Sequence, residues 1–238
     1  MDGRGLLARL AAEPARAAIL LDVDGVLAPI VDDPAAAAVP PETRAELERL
    51  RGRYALVACV SGRASDDVRR VVGLPDVVAV GEHGLELEPE AAAWRERLDA
   101  FLGGVRWDDV ERKALTATLH YRRHPDEAAA LRVLEDVAAR AREAGLVPRF
   151  GRKVLELRPP IKADKGTAVA HLLERHGLAR ALYAGDDTTD VDAYRALAGL
   201  ELAVRVAVAS AEGPPELREA ADLVVDGPAA FLSVLRSL

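Results

Sequence analysis

Asp22 and Asp24 close a short apolar run, Ile19 to Leu21, at the point where a strand of a parallel sheet would release its chain. Residues two apart on a strand share a face, so both carboxylates can point into one crevice. Gly25 follows and permits a sharp turn with the backbone close to a ligand. Neighbouring carboxylates repel unless a cation lies between them or one keeps its proton, and both outcomes serve chemistry. The bland explanation is a strand end capped by an Asp-Gly turn.

Three further strand ends carry groups of complementary chemistry. Ser61 follows an apolar strand, where its hydroxyl and the next backbone amides can hold a phosphate oxygen; as an isolated residue it would simply cap a helix. Lys165 sits at the start of a helix, in Lys162-Ala-Asp-Lys-Gly-Thr. A cation there opposes the helix dipole unless an anion or carboxylates stand opposite, although most lysines are only solvated surface groups. Asp186, Asp187 and Asp190 crowd Gly185-Asp-Asp-Thr-Thr-Asp, just past another apolar strand. Acids suit a helix N-terminus, but this density of carboxylates also suits a hard cation such as Mg²⁺, which prefers oxygen ligands. Each group follows a predicted strand, and open parallel sheets bind ligands in the crevice at the carboxyl ends of their strands.

The elements that must position these groups alternate. After the first strand come a loop from Asp32 to Pro41, a helix over Pro41–Arg51, a strand over Tyr54–Val60 and a helix over Ala64–Val72. A strand over Val77–Val80 then enters the turn Gly81-Glu-His-Gly. This pattern predicts an α/β fold with a doubly wound parallel sheet. It breaks after residue 85. Helix Trp94–Leu102, alternating strand Leu115–Tyr121, amphipathic helix Asp126–Ala144 and a hairpin around Gly151-Arg152 form a separate α+β unit. Alternation resumes at Lys165 with a helix to His176, strand Ala181–Ala184, helix Thr189–Leu197, strand Ala203–Val208, strand Leu223–Val225 and a last helix Ala229–Leu238. Only 36 residues separate Asp24 from Ser61, whereas 103 separate Ser61 from Lys165, far more than a crossover needs. The expected organisation is a core of residues 1–85 and 160–238 interrupted by a cap of residues 86–159.

Composition narrows the function classes. With 32 basic and 39 acidic residues the net charge is −7, which argues against nucleic-acid binding through phosphate attraction. Cys59 is the only cysteine, so no internal disulfide forms and a cytoplasmic setting is expected. Cys59 and Arg63 are one residue too close for a Cys-x5-Arg phosphatase loop, and Cys59 falls inside a strand. No apolar run is long enough to span a membrane, and residues 1–13 read as a short helix, not a signal peptide. Walker A and Gly-x-Gly-x-x-Gly patterns are absent.

The order Asp-x-Asp-Gly, strand-Ser, Lys, Gly-Asp-Asp-x-x-Asp resembles the haloacid dehalogenase superfamily of phosphohydrolases. Within it the chain is most similar to the trehalose-6-phosphate phosphatase family. That resemblance rests on Asp22-Val-Asp-Gly-Val-Leu-Ala-Pro-Ile, Ser61-Gly-Arg, Gly81-Glu-His-Gly, Glu111-Arg-Lys, His120-Tyr-Arg, Leu155-Glu-Leu-Arg-Pro, Asp164-Lys-Gly and Gly185-Asp-Asp-Thr-Thr-Asp. Val26 and Glu82 depart from the usual threonine and from the usual small or amide residue.

The resemblance implies an HAD-type Rossmann-like core, an inserted cap after the third core strand, and Mg²⁺ as cofactor. It implies Asp22 as nucleophile and Asp24 as general acid and base, with Ser61 and Lys165 on the phosphoryl group. Asp22, Asp24 through its carbonyl, Asp186, and Asp187 or Asp190 would hold the metal. Gly62, Arg63, His83, Glu111, Lys113, Arg122, Glu156 and Arg158 become substrate contacts, although His83, Arg122, Glu156 and Arg158 equally fit structural salt bridges or surface roles. The implied substrate is a small sugar phosphate, with a monomeric chain and pairing to a trehalose-6-phosphate synthase as the expected associations. Sucrose-phosphate and mannosyl-3-phosphoglycerate phosphatases, phosphomannomutases and a non-catalytic phosphate-binding module share parts of this pattern.

Overall fold

The computed structural model describes residues 2–31, 33–151, 153–209 and 213–238. It divides into two compact units, Met1–Gly84 with Ala163–Leu238, and Leu85–Lys162. Among the described residues no helix is long and apolar enough to cross a membrane.

The first unit is built on strands whose sequences are apolar on both faces, the signature of a parallel sheet covered by helices. They are β1 (Ala18–Leu21), β2 (Leu56–Val60), β3 (Val78–Val80), β8 (Arg180–Gly185), β9 (Leu202–Ala209) and β10 (Leu223–Asp226). Their order is β10-β9-β8-β1-β2-β3, and every pairing is parallel. The doubly wound sheet expected from the alternation is present. Its direction of winding reverses between β1 and β8, and a crevice opens at such a switch point.

Helices α1 (Gly3–Ala12), α2 (Pro41–Arg51), α3 (Ser65–Val72) and α9 (Gly227–Ser237) send Leu7, Leu10, Leu47, Leu50, Val68 and Phe231 into one apolar cluster with Ile19, Leu21, Val57 and Leu182. Full burial of each such large side chain contributes about 1.5–3 kcal/mol relative to exposure. Helix α6 (Lys165–His176) packs beside β2 and against α7 (Asp190–Ala196), which touches α8 (Pro215–Ala220). Tyr54 and Ala55 do not join β2, because the Tyr54 amide donates back to Leu50 and so belongs to the end of α2. Val26 is fully buried in the apolar cluster, which accounts for its departure from threonine as a packing choice.

In the second unit, α4 (Ala91–Gly103) and α5 (Glu127–Glu143) cover one face of an antiparallel sheet ordered β4-β5-β7-β6. Its strands are β4 (Val110–Arg112), β5 (Ala117–His120), β6 (Val147–Gly151) and β7 (Val154–Arg158). Ala117, Leu119, Leu155 and Leu157 meet Leu98, Leu134, Val137 and Ala141 in its core. The short strand β4 was not expected, because Val110-Glu-Arg carries too little apolar pattern to announce itself. The hairpin expected around Gly151-Arg152 falls between β6 and β7; Arg152 and Asp32 lie outside the described residues.

Candidate active site

The amide of Asp22 continues the sheet by donating to the Ala184 carbonyl at 2.9 Å. This bond places Asp22, after β1, beside Gly185 and Asp186, after β8, at the switch point. Lys165 enters from the start of α6, a turn fastened by a reciprocal capping box between Asp164 and Thr167. Its Nζ lies 2.8 Å from Asp22 Oδ2 and 2.7 Å from Asp190 Oδ1. Two carboxylates therefore answer the cation that opposes the helix dipole. Burial disfavours the Lys165 ammonium, but Asp22 and Asp190 outweigh it and hold the group more firmly protonated than a free lysine.

Asp190 is saturated. Its Oδ1 accepts from Lys165 and from the buried Tyr183 hydroxyl at 2.7 Å, and its Oδ2 accepts from the amides of Asp186 and Asp187, both at 3.0 Å. A carboxylate offers about four acceptor sites, so all are taken. Asp190 ties Lys165 to the turn that presents Asp186. Tyr183 was not singled out by sequence reasoning. The available signal was a phenol inside the apolar run before Gly185, since a buried tyrosine hydroxyl must find a partner.

Asp22, Asp186 and Asp190 each offer a carboxylate oxygen within 4.8 Å of one another, all buried. One ammonium against three carboxylates leaves an excess of negative charge that suits a divalent cation. Burial pushes Asp22 up to about 7, with Lys165 opposing, and burial pushes Asp186 up to about 8, reinforced by Asp22. A methyl group on Gly25, where φ is +75°, would lie 2.1 Å from Asp186 Oδ2. The glycine thus lets the Asp186 carboxylate press against the backbone that follows Asp24. The donor set of Asp22, Asp186 and the nearby backbone is all oxygen, which fits Mg²⁺. Asp187 is exposed and stands outside this cluster.

Ser61 is buried after β2. Its Oγ accepts from the Arg63 amide at 3.3 Å, and its carbonyl accepts from the His83 amide at 2.9 Å. The Glu82 amide donates to the Arg63 carbonyl at 2.8 Å. The Gly81-Glu-His-Gly turn therefore braces the Ser61 loop. The brace is strained, because Glu82 and His83 adopt φ of 48° and 55°. The His83 ring lies so close over Gly62 that a methyl there would meet Nε2 at 2.6 Å. Glu82 is buried in this turn. Arg63 points to Asp24, with Nε and Nη2 on its two oxygens at 2.6 and 2.8 Å. Cys59 is buried in β2, and burial pushes its thiol up to about 12, which makes it an inert core group.

In the second unit the face opposite the helices is polar. Cross-strand register puts Glu111, Thr118, Glu156 and Arg149 in one row, because residues paired across antiparallel strands share a face. Glu111 Oε2 lies 3.2 Å from His120 Nε2, and its Oε1 lies 3.9 Å from Lys113 Nζ. Arg158 is buried, 4.0 Å from Glu156. Arg122 is exposed in the turn after β5 and outside the row. Thr118 and Arg149 join this face only through register, and β4 had to be seen to recognise it.

The family described as trehalose-phosphatase matches residues 20–106 and 108–228. A trehalose-phosphate phosphatase of Mycobacterium avium (strain 104) is 38% identical over 207 residues, covering 76% of this chain and 51% of that protein. The chain spans about half the length of the curated relatives it matches. The solved C-terminal domain of C. albicans trehalose-6-phosphate phosphatase superposes with a TM-score of 0.72 at 26% identity, covering 98% of this chain and 95% of that one. A haloacid dehalogenase-like hydrolase from Bacteroides thetaiotaomicron shares the fold, with a TM-score of 0.61 at 14% identity over 92% of this chain and 98% of that chain.

Proposed function

The chain belongs to the trehalose-phosphatase family, and from that premise we propose that it hydrolyses trehalose 6-phosphate to trehalose and phosphate through an aspartyl-phosphate on Asp22. The observation that carries this reading is the buried Asp22–Lys165 pair at the switch point, next to Asp186. A carboxylate there has a fixed cation beside it and an unbalanced charge that a further cation can offset when the acids are ionised.

Asp22 attacks phosphorus in line with the sugar oxygen, and the P–O bond to the sugar breaks as the acyl phosphate forms. Asp24 gives its proton to the departing oxygen, then takes one from the water that hydrolyses the intermediate. The Lys165 ammonium and the Ser61 hydroxyl hold the phosphoryl oxygens and offset their charge. Asp22, Asp186 and the Asp24 carbonyl would hold Mg²⁺, which when bound supplies further positive charge toward those oxygens. Asp190 serves as the buttress of Lys165. The polar sheet face of the second unit, with Glu111 and Lys113 at its edge, is the sugar-recognising surface.

A panel of sugar phosphates assayed for released phosphate with Mg²⁺ tests the substrate. Trehalose 6-phosphate is expected to lead; preference for sucrose 6-phosphate or a mannosyl phosphate moves the assignment within the superfamily, and silence across the panel removes it.

The metal assignment has a pH signature. Asp22 and Asp186 titrate near 7 and 8 in the metal-free fold against about 4 when unfolded. The folded state therefore binds more protons between those limits, and its stability falls as pH rises from about 4 to 8. In thermal melts, EDTA-treated protein is expected to lose stability from pH 5 to pH 8. Mg²⁺ should raise Tm more at pH 8, where it displaces fewer protons than at pH 5. A Mg²⁺ effect equal at both pH values would remove the metal from this pair.

Alanine at Glu111 or Lys113 is expected to lower kcat/KM for trehalose 6-phosphate by about ten- to a hundred-fold, the range for a lost hydrogen bond to a charged group. p-Nitrophenyl phosphate has no sugar to present, so its hydrolysis should change little. Equal losses on both esters would make Glu111 a structural residue.

A further inference from the structure

Arg63 is committed on two sides. Its Nε and Nη2 grip both oxygens of Asp24, while Nη1 donates to Asp67 Oδ2 at 2.7 Å and to the Pro34 carbonyl at 3.1 Å. Asp67 lies in the first turn of α3, where an acid is ordinary and an ion pair with Arg70 three residues on would contribute little. Its geometry exceeds that role. One carboxylate oxygen takes Arg70 Nε at 2.7 Å, and the other turns inward to Arg63. Arg70 also donates to the Ala35 carbonyl at 3.1 Å, so the two arginines hold adjacent carbonyls of the loop that follows Asp24.

A guanidinium is planar and presents its donors in a rigid fork. A carboxylate bound to both prongs must lie in the plane of that fork. Whatever fixes the plane of Arg63 therefore fixes the plane of Asp24. Asp24 has no comparable restraint of its own, because its carboxylate is partly exposed at a strand end. Each Asp24 oxygen gives one acceptor position to Arg63 and keeps a second for the transferred proton. That position must face the leaving oxygen, and a misplacement near 1 Å costs on the order of a hundred-fold.

We propose that Asp67 is a positioning residue for the reaction: it sets the plane of Arg63, and Arg63 aims Asp24. This rests on the reading of Asp24 as the proton-transfer group. Neither Asp67 nor Arg63 touches a reacting atom in this scheme, and Arg63 takes a role other than the substrate contact implied by resemblance.

The experiment is single-turnover release of the alcohol or phenol from two esters, with enzyme in excess over ester. Trehalose 6-phosphate expels an alkoxide and needs the proton; 2,4-dinitrophenyl phosphate expels a phenolate that does not. In Asp67→Ala and in Arg63→Lys, release of trehalose should slow about ten- to a hundred-fold, whereas the rate of dinitrophenolate release should stay within about two-fold of the wild type. Asp67→Asn keeps an acceptor for Nη1 and should recover most of the trehalose rate. Thermal melts of each variant separate folding from positioning, and Arg63→Lys reads out the relay if Asp67→Ala folds poorly. Asp24→Asn is the reference. If it shows the split between esters and neither Asp67→Ala nor Arg63→Lys does, or if they slow both esters equally, the relay is overturned. If Asp24→Asn itself shows no split, the proton-transfer reading of Asp24 fails first.

Discussion

Asp22→Asn is expected to reduce turnover of every phosphate ester by on the order of 10⁴- to 10⁶-fold, the scale seen when a covalent nucleophile is removed. The amide cannot displace the sugar from phosphorus and is a poorer ligand for a hard cation. Acid quench of the wild type during turnover should leave phosphate on the peptide containing Asp22, and the variant should carry none. Folding is not the cause of this loss. The metal-free site already holds more carboxylate than cation, and Asp22 is raised to about 7 by burial, so neutralising it relieves repulsion above that pH. The metal-free variant should therefore melt no lower than the wild type at pH 8. Substantial turnover in protein free of deamidated material would show that another group attacks phosphorus.

Lys165→Met keeps most of the buried stem and removes the charge. Because Lys165 is the cation that Asp22 and Asp190 share, the variant leaves buried carboxylates without it. Breaking a buried pair from one side typically costs about 3–5 kcal/mol. The cost depends on pH in a definite sense. Without the lysine, the folded-state pKa of Asp22 rises further above its unfolded value, so the protein carries the deficit mainly at high pH and escapes it by protonation at low pH. The melting difference between variant and wild type should be larger at pH 8 than at pH 5, and Mg²⁺ should narrow it at pH 8. Catalysis should fall by about 10²- to 10³-fold through lost stabilisation of the phosphoryl charge. A variant that melts like the wild type at pH 8 would contradict the charge accounting of the site.

Much of this protein follows from local sequence. Apolar runs of strand length separated by amphipathic helices determine a doubly wound sheet, because both faces of such strands must be covered. Chemistry placed directly after those runs brings Asp22, Ser61 and Asp186 to one edge, because a parallel sheet brings all its carboxyl ends there, and Lys165 joins Asp22 from the start of α6. The helix-opening lysine announced its carboxylate partners through the unfavourable dipole. What local pattern could not contain was the division of labour among the acids. Asp190 lies only four residues from Asp186, yet four donors from the strand, the helix and the turn converge on it and make it a buttress. Asp67 was invisible for the same reason, and the Tyr183 phenol signalled a need for a partner but not which one, since a hydrogen bond between elements depends on where side chains end in space. The pairing of Arg63 with Asp24, and of Asp67 with Arg63, likewise appears only in the tertiary structure. The row Glu111–Thr118–Glu156–Arg149 exists only in register, because a one-residue slip of any strand would turn its side chain to the other face.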